Sequence, residues 1–439
     1  MKTASNTNSE EKQQKQKAGS PKDQKLIEQV EALCSERKPF QHIQALDYPR
    51  MAGSPEENKA AKYIENVFQT QGFEPQVEEF YLPPSSTMPK LVLPLLFIGW
   101  GVFSFINVMF IRGILEYVFA CLILLVPILL VLMLVKLEVI FRRMLRRNFQ
   151  KIQRHTEQIK KGIYKKPVQK GINIYAEYAP EEYQEHLYLT AHYDSTTLKL
   201  KMKVIKLLTA IGMLGFLIYI FGYLAHYVLY IFAGSSLFTE YFGFFLSVLI
   251  ISLVSLSFVL FSRVFRTNES HGAIDNLTGT ALILELASIA KVIKPKLKIT
   301  FIVFSAEELG LFGSAYHYNL HKQSFQKERT HVVSIDMIGE IPPLTLVTKI
   351  KPAFSLPTNA EFNNKMVELA GKLGITIKTG KFTYPGSDFG NWLLEGYKVN
   401  WLINASKFIH SPQDVGQNVN QSLLNECLRL FTAYLLGKS

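Results

Sequence analysis

Four long stretches without a single Asp, Glu, Lys or Arg constrain this chain more than any other feature. They are Leu91–Ile111, Tyr117–Val135, Leu207–Thr239 and Tyr241–Ser262. A helix that crosses a bilayer needs about 20 apolar residues, and the core helix of a soluble domain rarely needs so many. The segments come in two pairs, 91–135 and 207–262, and each pair reads as a hairpin that returns to the side it entered. The expectation is four membrane helices in an integral, multi-pass protein. The first 25 residues are polar and form a solvated tail with no apolar stretch of signal-peptide type.

The formal net charge is +12 over 439 residues. Such an excess suggests nucleic-acid binding only if it is not otherwise placed. Here it is. Twelve basic residues against Glu138 and Glu157 lie between Lys136 and Lys170, Lys199 to Lys206 precede the third apolar segment, and Arg263 and Arg266 follow the fourth. The hairpin tips hold only Arg112, Glu116 and Glu240. The positive flank marks the cytoplasmic side, and the same residues suit anionic headgroups. No nucleic-acid partner is expected. The three cysteines are far apart and form no C-x-x-C pair, which excludes a disulfide framework and a cysteine-ligated zinc finger.

What remains alternates between helical and strand patterns. Ser54-Pro55-Glu56-Glu57 reads as a capping box with Pro at the first helical position. Gln76–Tyr81, Gly171–Ala176, His186–Ala191, Ile299–Phe304, His331–Ile335 and Val399–Ile403 read as strands, and Leu277–Ala290 and Met366–Leu373 as helices. That pattern predicts an α/β fold with a mostly parallel central sheet and helices on both faces, interrupted by the two transmembrane hairpins. In such sheets chemistry gathers beyond the carboxyl ends of the strands.

Those ends carry acids and histidines: His192 and Asp194 after His186–Ala191, Glu307 and Glu308 after Ile299–Phe304, Asp336 after His331–Ile335, and His410 beyond Val399–Ile403. Asp275 opens a helix. Singly, each has a plain structural reading, such as an N-cap for Asp275 or a hydrogen-bonded core position for His192. Together they are a donor set that zinc accepts.

Ala191-His192-Tyr193-Asp194-Ser195, Gly272-Ala273-Ile274-Asp275-Asn276, the run Ser305–Ser314 and Ser334-Ile335-Asp336-Met337 resemble the successive signatures of the co-catalytic di-zinc aminopeptidases. That group includes secreted bacterial aminopeptidases, glutamate carboxypeptidase and glutaminyl cyclase. Arg50–Pro55 and Gly171–Ile174 resemble its N-terminal elements, and Gly386-Ser387-Asp388-Phe389 and His410–Asp414 its last ones. The resemblance implies that His192 and Asp336 hold one zinc ion, that Glu308 and His410 hold the other, and that Asp275 bridges them. It implies Asp194 as the partner of the His192 ring and Glu307 as general base. Two Zn2+ with three carboxylates and a hydroxide make a neutral centre able to activate water. The soluble members lack the hairpins, and many carry His where Phe389 stands.

The expected layout is a tail 1–25, peptidase segments 26–88, 165–200 and 264–439, hairpins 89–138 and 201–263, and a basic linker 139–164. The expected activity is a membrane-bound aminopeptidase acting on peptides, its catalytic domain at the cytoplasmic face. A glutaminyl-cyclase-like acyltransferase and a non-catalytic membrane scaffold are the alternatives.

Overall fold

Strand pairing around a buried apolar helix organises the part of the chain that carries the polar motifs. The computed structural model describes residues 20–84, 137–164, 167–200, 202–233, 241–262, 266–350, 356–382 and 386–439, with isolated positions between 99 and 125. Two compact units result, one of Met1–Leu82, Arg142–Ser195 and Ser270–Ser439, the other of Pro83–Phe141 and Thr196–Glu269. The strands are β1 (Gln76–Tyr81), β2 (Lys170–Tyr178), β3 (His186–His192), β4 (Thr197–Leu198), β5 (Arg266–Thr267), β6 (Lys298–Phe304), β7 (Thr330–Asp336), β8 (Leu344–Ile350), β9 (Leu356–Pro357), β10 (Ile377–Phe382) and β11 (Lys398–Ile403).

In the first unit the strand order is β1-β2-β6-β3-β7-β11-β8-β10, with β9 beside β8. The central strands β6, β3, β7 and β11 are parallel, while β1, β2 and the β11–β8 contact are antiparallel. Register aligns their ends: His192 pairs with Phe304, and Ile403 with Asp336. Alternate strand residues face opposite ways. Leu187, Leu189, Phe301, Val303, Val333 and Ile335 join one core, and Tyr188, Ile302, Phe304 and Val332 the other. Both faces of the sheet are therefore covered. β8 and β10 extend the sheet beyond the strands legible in sequence.

Helix Thr278–Ile293 packs on β3, on β6 and on helix Gln421–Leu436. Its residues Thr278–Ala287 are all buried. By length and composition alone Ala273–Ile293 could cross a membrane, as could Lys203–His226. Burial separates the two, because 78 % of the first helix's apolar window is covered by protein against 17 % of the second's.

Ser54 caps helix Pro55–Thr70 by accepting a hydrogen bond from Glu57 N–H. The reciprocal half of the capping box is absent. Glu57 instead accepts from Gly53 N–H and Ser305 Oγ, both at 2.5 Å. Burial raises its pKa to about 8.

In the second unit, segments 207–239 and 241–262 appear as helices Met202–Ala233 and Phe242–Ser262. They pack together where small residues let backbones approach. A Cβ on Gly212 would meet Leu256 at 2.6 Å and one on Gly222 would meet Phe245 at 2.0 Å. Ser252 Oγ donates to Gly212 O at 2.7 Å. Away from this seam Leu207, Leu214, Phe221 and Phe232 are exposed. The expected hairpin 89–138 falls almost wholly outside the described residues.

Two measurements check this description. Leu286→Ala, at a fully buried position, should lower unfolding stability by about 2–5 kcal/mol in a denaturant titration. Glu57 has a folded pKa above its unfolded value of 4.5. Its contribution is thus complete below pH 4.5 and lost as pH rises through about 8. Glu57→Gln should show a flatter fall of thermal midpoint across that window than the wild type.

Candidate metal centre

The seven polar residues singled out in sequence converge beyond the ends of β3, β6 and β7. Asp275 lies at their middle. Its Oδ1 is 3.2 Å from His192 Nε2 and its Oδ2 is 3.3 Å from His410 Nε2. His192 Nε2 is also 3.7 Å from Asp336 Oδ1 and 4.0 Å from Glu307 Oε2, and His410 Nε2 is 3.0 Å from Glu308 Oε1. Two groups share Asp275: His192, Asp275 and Asp336, and Asp275, Glu308 and His410. Within each group the potential ligand atoms lie within 4.8 Å of one another.

The local backbone explains the convergence. Asp275 caps no helix. Its φ of −117° and ψ of 84° hold it outside helical conformation ahead of Thr278. Ala306, Met337 and His410 adopt φ of 58°, 53° and 53°. This left-handed backbone costs about 1–3 kcal/mol per residue. It turns the chain sharply next to Glu307, next to Asp336 and at His410 itself.

Asp194 does more than face the histidine ring. Its Oδ1 accepts from Glu307 N–H at 3.0 Å and its Oδ2 from Glu308 N–H at 3.2 Å. His192 Nδ1 is 3.3 Å from the Asp194 carbonyl oxygen and 3.5 Å from Asp194 Oδ1.

Three residues without an assigned role in the sequence reading brace the centre. Asp414 accepts from Ile274 N–H at 2.6 Å and from Asp275 N–H at 3.1 Å. Asn276 donates to Ile335 O and accepts from Gly279 and Met337 N–H, tying the Asp275 turn to β7. Arg50 is fully buried and donates to the carbonyls of Leu46, Tyr48, Tyr193, His271 and Gly272. Burial lowers its pKa to about 10, where it stays charged at neutral pH. The sequence signal was present in the Arg50–Pro55 and His410–Asp414 motifs, but their partners are backbone groups distant in the chain.

Charge density dominates the electrostatics. Burial pushes the Glu307 carboxyl well up, opposed by His192 and reinforced by Glu308, Asp388 and Asp336. Burial works against protonation of His192, yet Glu307, Asp194, Asp275 and Asp336 together raise its pKa well above the ordinary value. Burial also opposes ionisation of Asp275, but His192 and His410 hold it well below the usual carboxylate range. Buried Asp336 Oδ1 and His410 Nδ1 have no hydrogen-bond partner among the described residues. Converging carboxylates, two imidazoles and an orphaned buried oxygen fit a site for cations.

The arrangement offers donors for two metal ions around one shared carboxylate. Residues 258–435 match the model of Peptidase family M28. The chain is also 44 % identical over 180 residues to Aminopeptidase YwaD of Bacillus subtilis (strain 168), covering 37 % of this chain and 37 % of that one. It thus spans about a third of the length of that curated relative. The family match contains Asp275, Glu307, Glu308, Asp336 and His410. The aminopeptidase from Aneurinibacillus sp. strain AM-1 has the same fold, with a TM-score of 0.52 and 15 % identity over 93 % of this chain and 96 % of that one.

Arg50→Lys should test the brace. A lysine keeps the charge but cannot reach five carbonyls with a planar fork. Unfolding stability should fall by about 2–4 kcal/mol in a denaturant titration, as buried carbonyls lose their donors.

Proposed function

We propose that the chain is a membrane-bound, di-zinc metallo-exopeptidase of aminopeptidase type. The observation that carries the reading is the two-sided Asp275 carboxylate, one oxygen towards His192 and the other towards His410. His192 and Asp336 would hold one Zn2+, Glu308 and His410 the other, and Asp275 both. Two zinc ions bound there would supply Lewis-acid activation of water and of the peptide carbonyl.

The chain's own residues do the rest. Glu307, half-buried and unused as a ligand in this scheme, takes the proton of the attacking water and delivers it to the leaving amine. Asp194 fixes the Glu307 and Glu308 backbone through its two oxygens and orients the His192 ring. Asp414 and Arg50 position Asp275 without touching substrate.

The same proposal places 89–138 and 201–263 in the membrane as two hairpins. It assembles the peptidase domain from 26–88, 165–200 and 264–439, next to the polar tail 1–25, whose residues 21–25 belong instead to helix Pro21–Cys34, capped by Ser20. The basic linker 139–164 and the charge bias put that domain on the cytoplasmic side, where anionic headgroups are available. Helix Lys203–His226 supports the membrane reading through its length and its exposed apolar surface.

The test is a peptide with a free N-terminal Gln, incubated with the detergent-purified chain and analysed by mass. Loss of the first residue is expected. Glu307→Gln should lower the rate by about 100-fold or more, the range of general-base contributions, and chelator treatment should abolish it. Loss of ammonia alone would assign a cyclase, and a shortened C-terminus a carboxypeptidase. No reaction on a panel of free and blocked peptides with two metals bound would overturn the exopeptidase reading.

A further inference from the structure

A second group of metal-ligating side chains lies in the sheet unit and shares no residue with the centre above. Glu78 stands on β1, and His317 and His321 stand four residues apart on helix Phe312–His321. Residues at this spacing lie on the same face of a helix. His317 Nδ1 is 2.9 Å from Glu78 Oε1 and 3.1 Å from Oε2, and His321 Nε2 is 2.7 Å from Oε1. The Glu78 and His317 side chains are only 7 % and 2 % exposed, and that of His321 is 31 % exposed. We propose that Glu78, His317 and His321 form a separate site for one divalent transition-metal ion of the zinc type.

Three observations carry this. The donor set, two imidazoles and one carboxylate, is one that zinc takes with three protein ligands and an open position. A cavity of about 290 Å³, lined by His317 and His321 together with Tyr175, His186 and Ser324, reaches the cluster. It gives a route for the ion and room for a water in the fourth position. Lys298, also on the cavity wall, is paired with Glu177 at 2.9 Å. Its charge is therefore offset.

The third observation is a supporting group behind the ligand. Asn173 Nδ2 donates to Glu78 Oε2 at 3.2 Å and to Gly313 O at 3.0 Å. This fixes the carboxylate, as partners behind metal ligands commonly do.

Tetrahedral zinc with bonds of about 2.0–2.1 Å sets ligand atoms roughly 3.3 Å apart. The nitrogens must therefore withdraw slightly from Glu78. His321, in the last turn of its helix and partly exposed, is free to do so. An ion here would clamp β1 to helix Phe312–His321. Asn173 Oδ1 also accepts from Ser305 N–H at 3.2 Å. The clamp would thereby extend to the strand end that precedes Glu307.

The experiment uses the full chain in detergent, stripped with a chelator and titrated with Zn2+ alone against a chromophoric indicator. Wild type should bind one equivalent more than His321→Gln and Glu78→Gln, or bind that equivalent at least tenfold more tightly. His321→Gln keeps a hydrogen-bonding group at a partly exposed position, and matched far-UV spectra will verify folding. In the Asp275→Asn background one tight equivalent should persist and disappear in Asp275→Asn with His321→Gln. That arm separates this site from the proposed catalytic pair. Equal stoichiometry and affinity in wild type and His321→Gln would overturn the proposal and leave a hydrogen-bonded Glu-His-His cluster.

Discussion

Asp275 is held by its backbone from one side and faces positive charge from the other, and the centre is organised around that tension. Its N–H is gripped by Asp414, itself a carboxylate, and the adjacent Asn276 is tied to Ile335 and Met337. The carboxylate is therefore presented at a fixed place between His192 and His410. A carboxylate on a loop free to rotate could satisfy one imidazole or the other. Held in this way, it addresses both at similar distance.

Such a cluster is expensive in the absence of cations. Asp194, Asp275, Glu308, Asp336 and Asp388 are all buried. Like charges in a medium of low polarity repel strongly, and each ionised group loses its water. The surrounding fold offsets part of this with directed N–H groups from Ile274, Asp275, Glu307 and Glu308, each aimed at an acid. Strained backbone at Ala306, Met337 and His410 adds to the cost. A domain with a large buried core can carry both, and helix Thr278–Ile293 between the sheet and helix Gln421–Leu436 supplies much of that core.

The sequence exposed the parts of this design that depend on local order. The strand ends at His192, Phe304 and Asp336 were legible because apolar runs stop abruptly at acids or at a turn. Helices Pro55–Thr70, Thr278–Ile293 and Ala360–Lys372 were legible by period and by Ser54, whereas Phe312–His321 and Gln421–Leu436 were not. The bracing residues were not. Arg50 and Asp414 act through carbonyl and N–H groups that come near only after the sheet is built, and no spacing rule encodes that. Glu57 sat in a familiar capping motif yet serves Gly53 and Ser305, because burial beside Ser305 offered a better partner than its own helix end. Strands β8 and β10 were missed: β10 is largely exposed and charged, and β8 alternates with polar residues. Conversely, composition cannot tell Ala273–Ile293 from a membrane span. Only what surrounds a helix does.

The order of strands in the sheet differs from their order in the chain, and this sets a timetable for synthesis. β3, which ends in His192, lies between β6 and β7. Both partners are made later, after helices Met202–Ala233 and Phe242–Ser262 have emerged. β1 and β2 pair with each other and can form early, but β3 must wait with both edges unpaired. Unpaired strand edges are prone to wrong association, and long-range pairing is slow. Ser195 Oγ bonded to Ser270 O, and Arg50 bonded to Tyr193 O and His271 O, rejoin the chain on either side of that long excursion. A ribosome pausing between residues 195 and 298 would thus leave His192 and Asp194 made with neither β6 nor β7 present to flank β3.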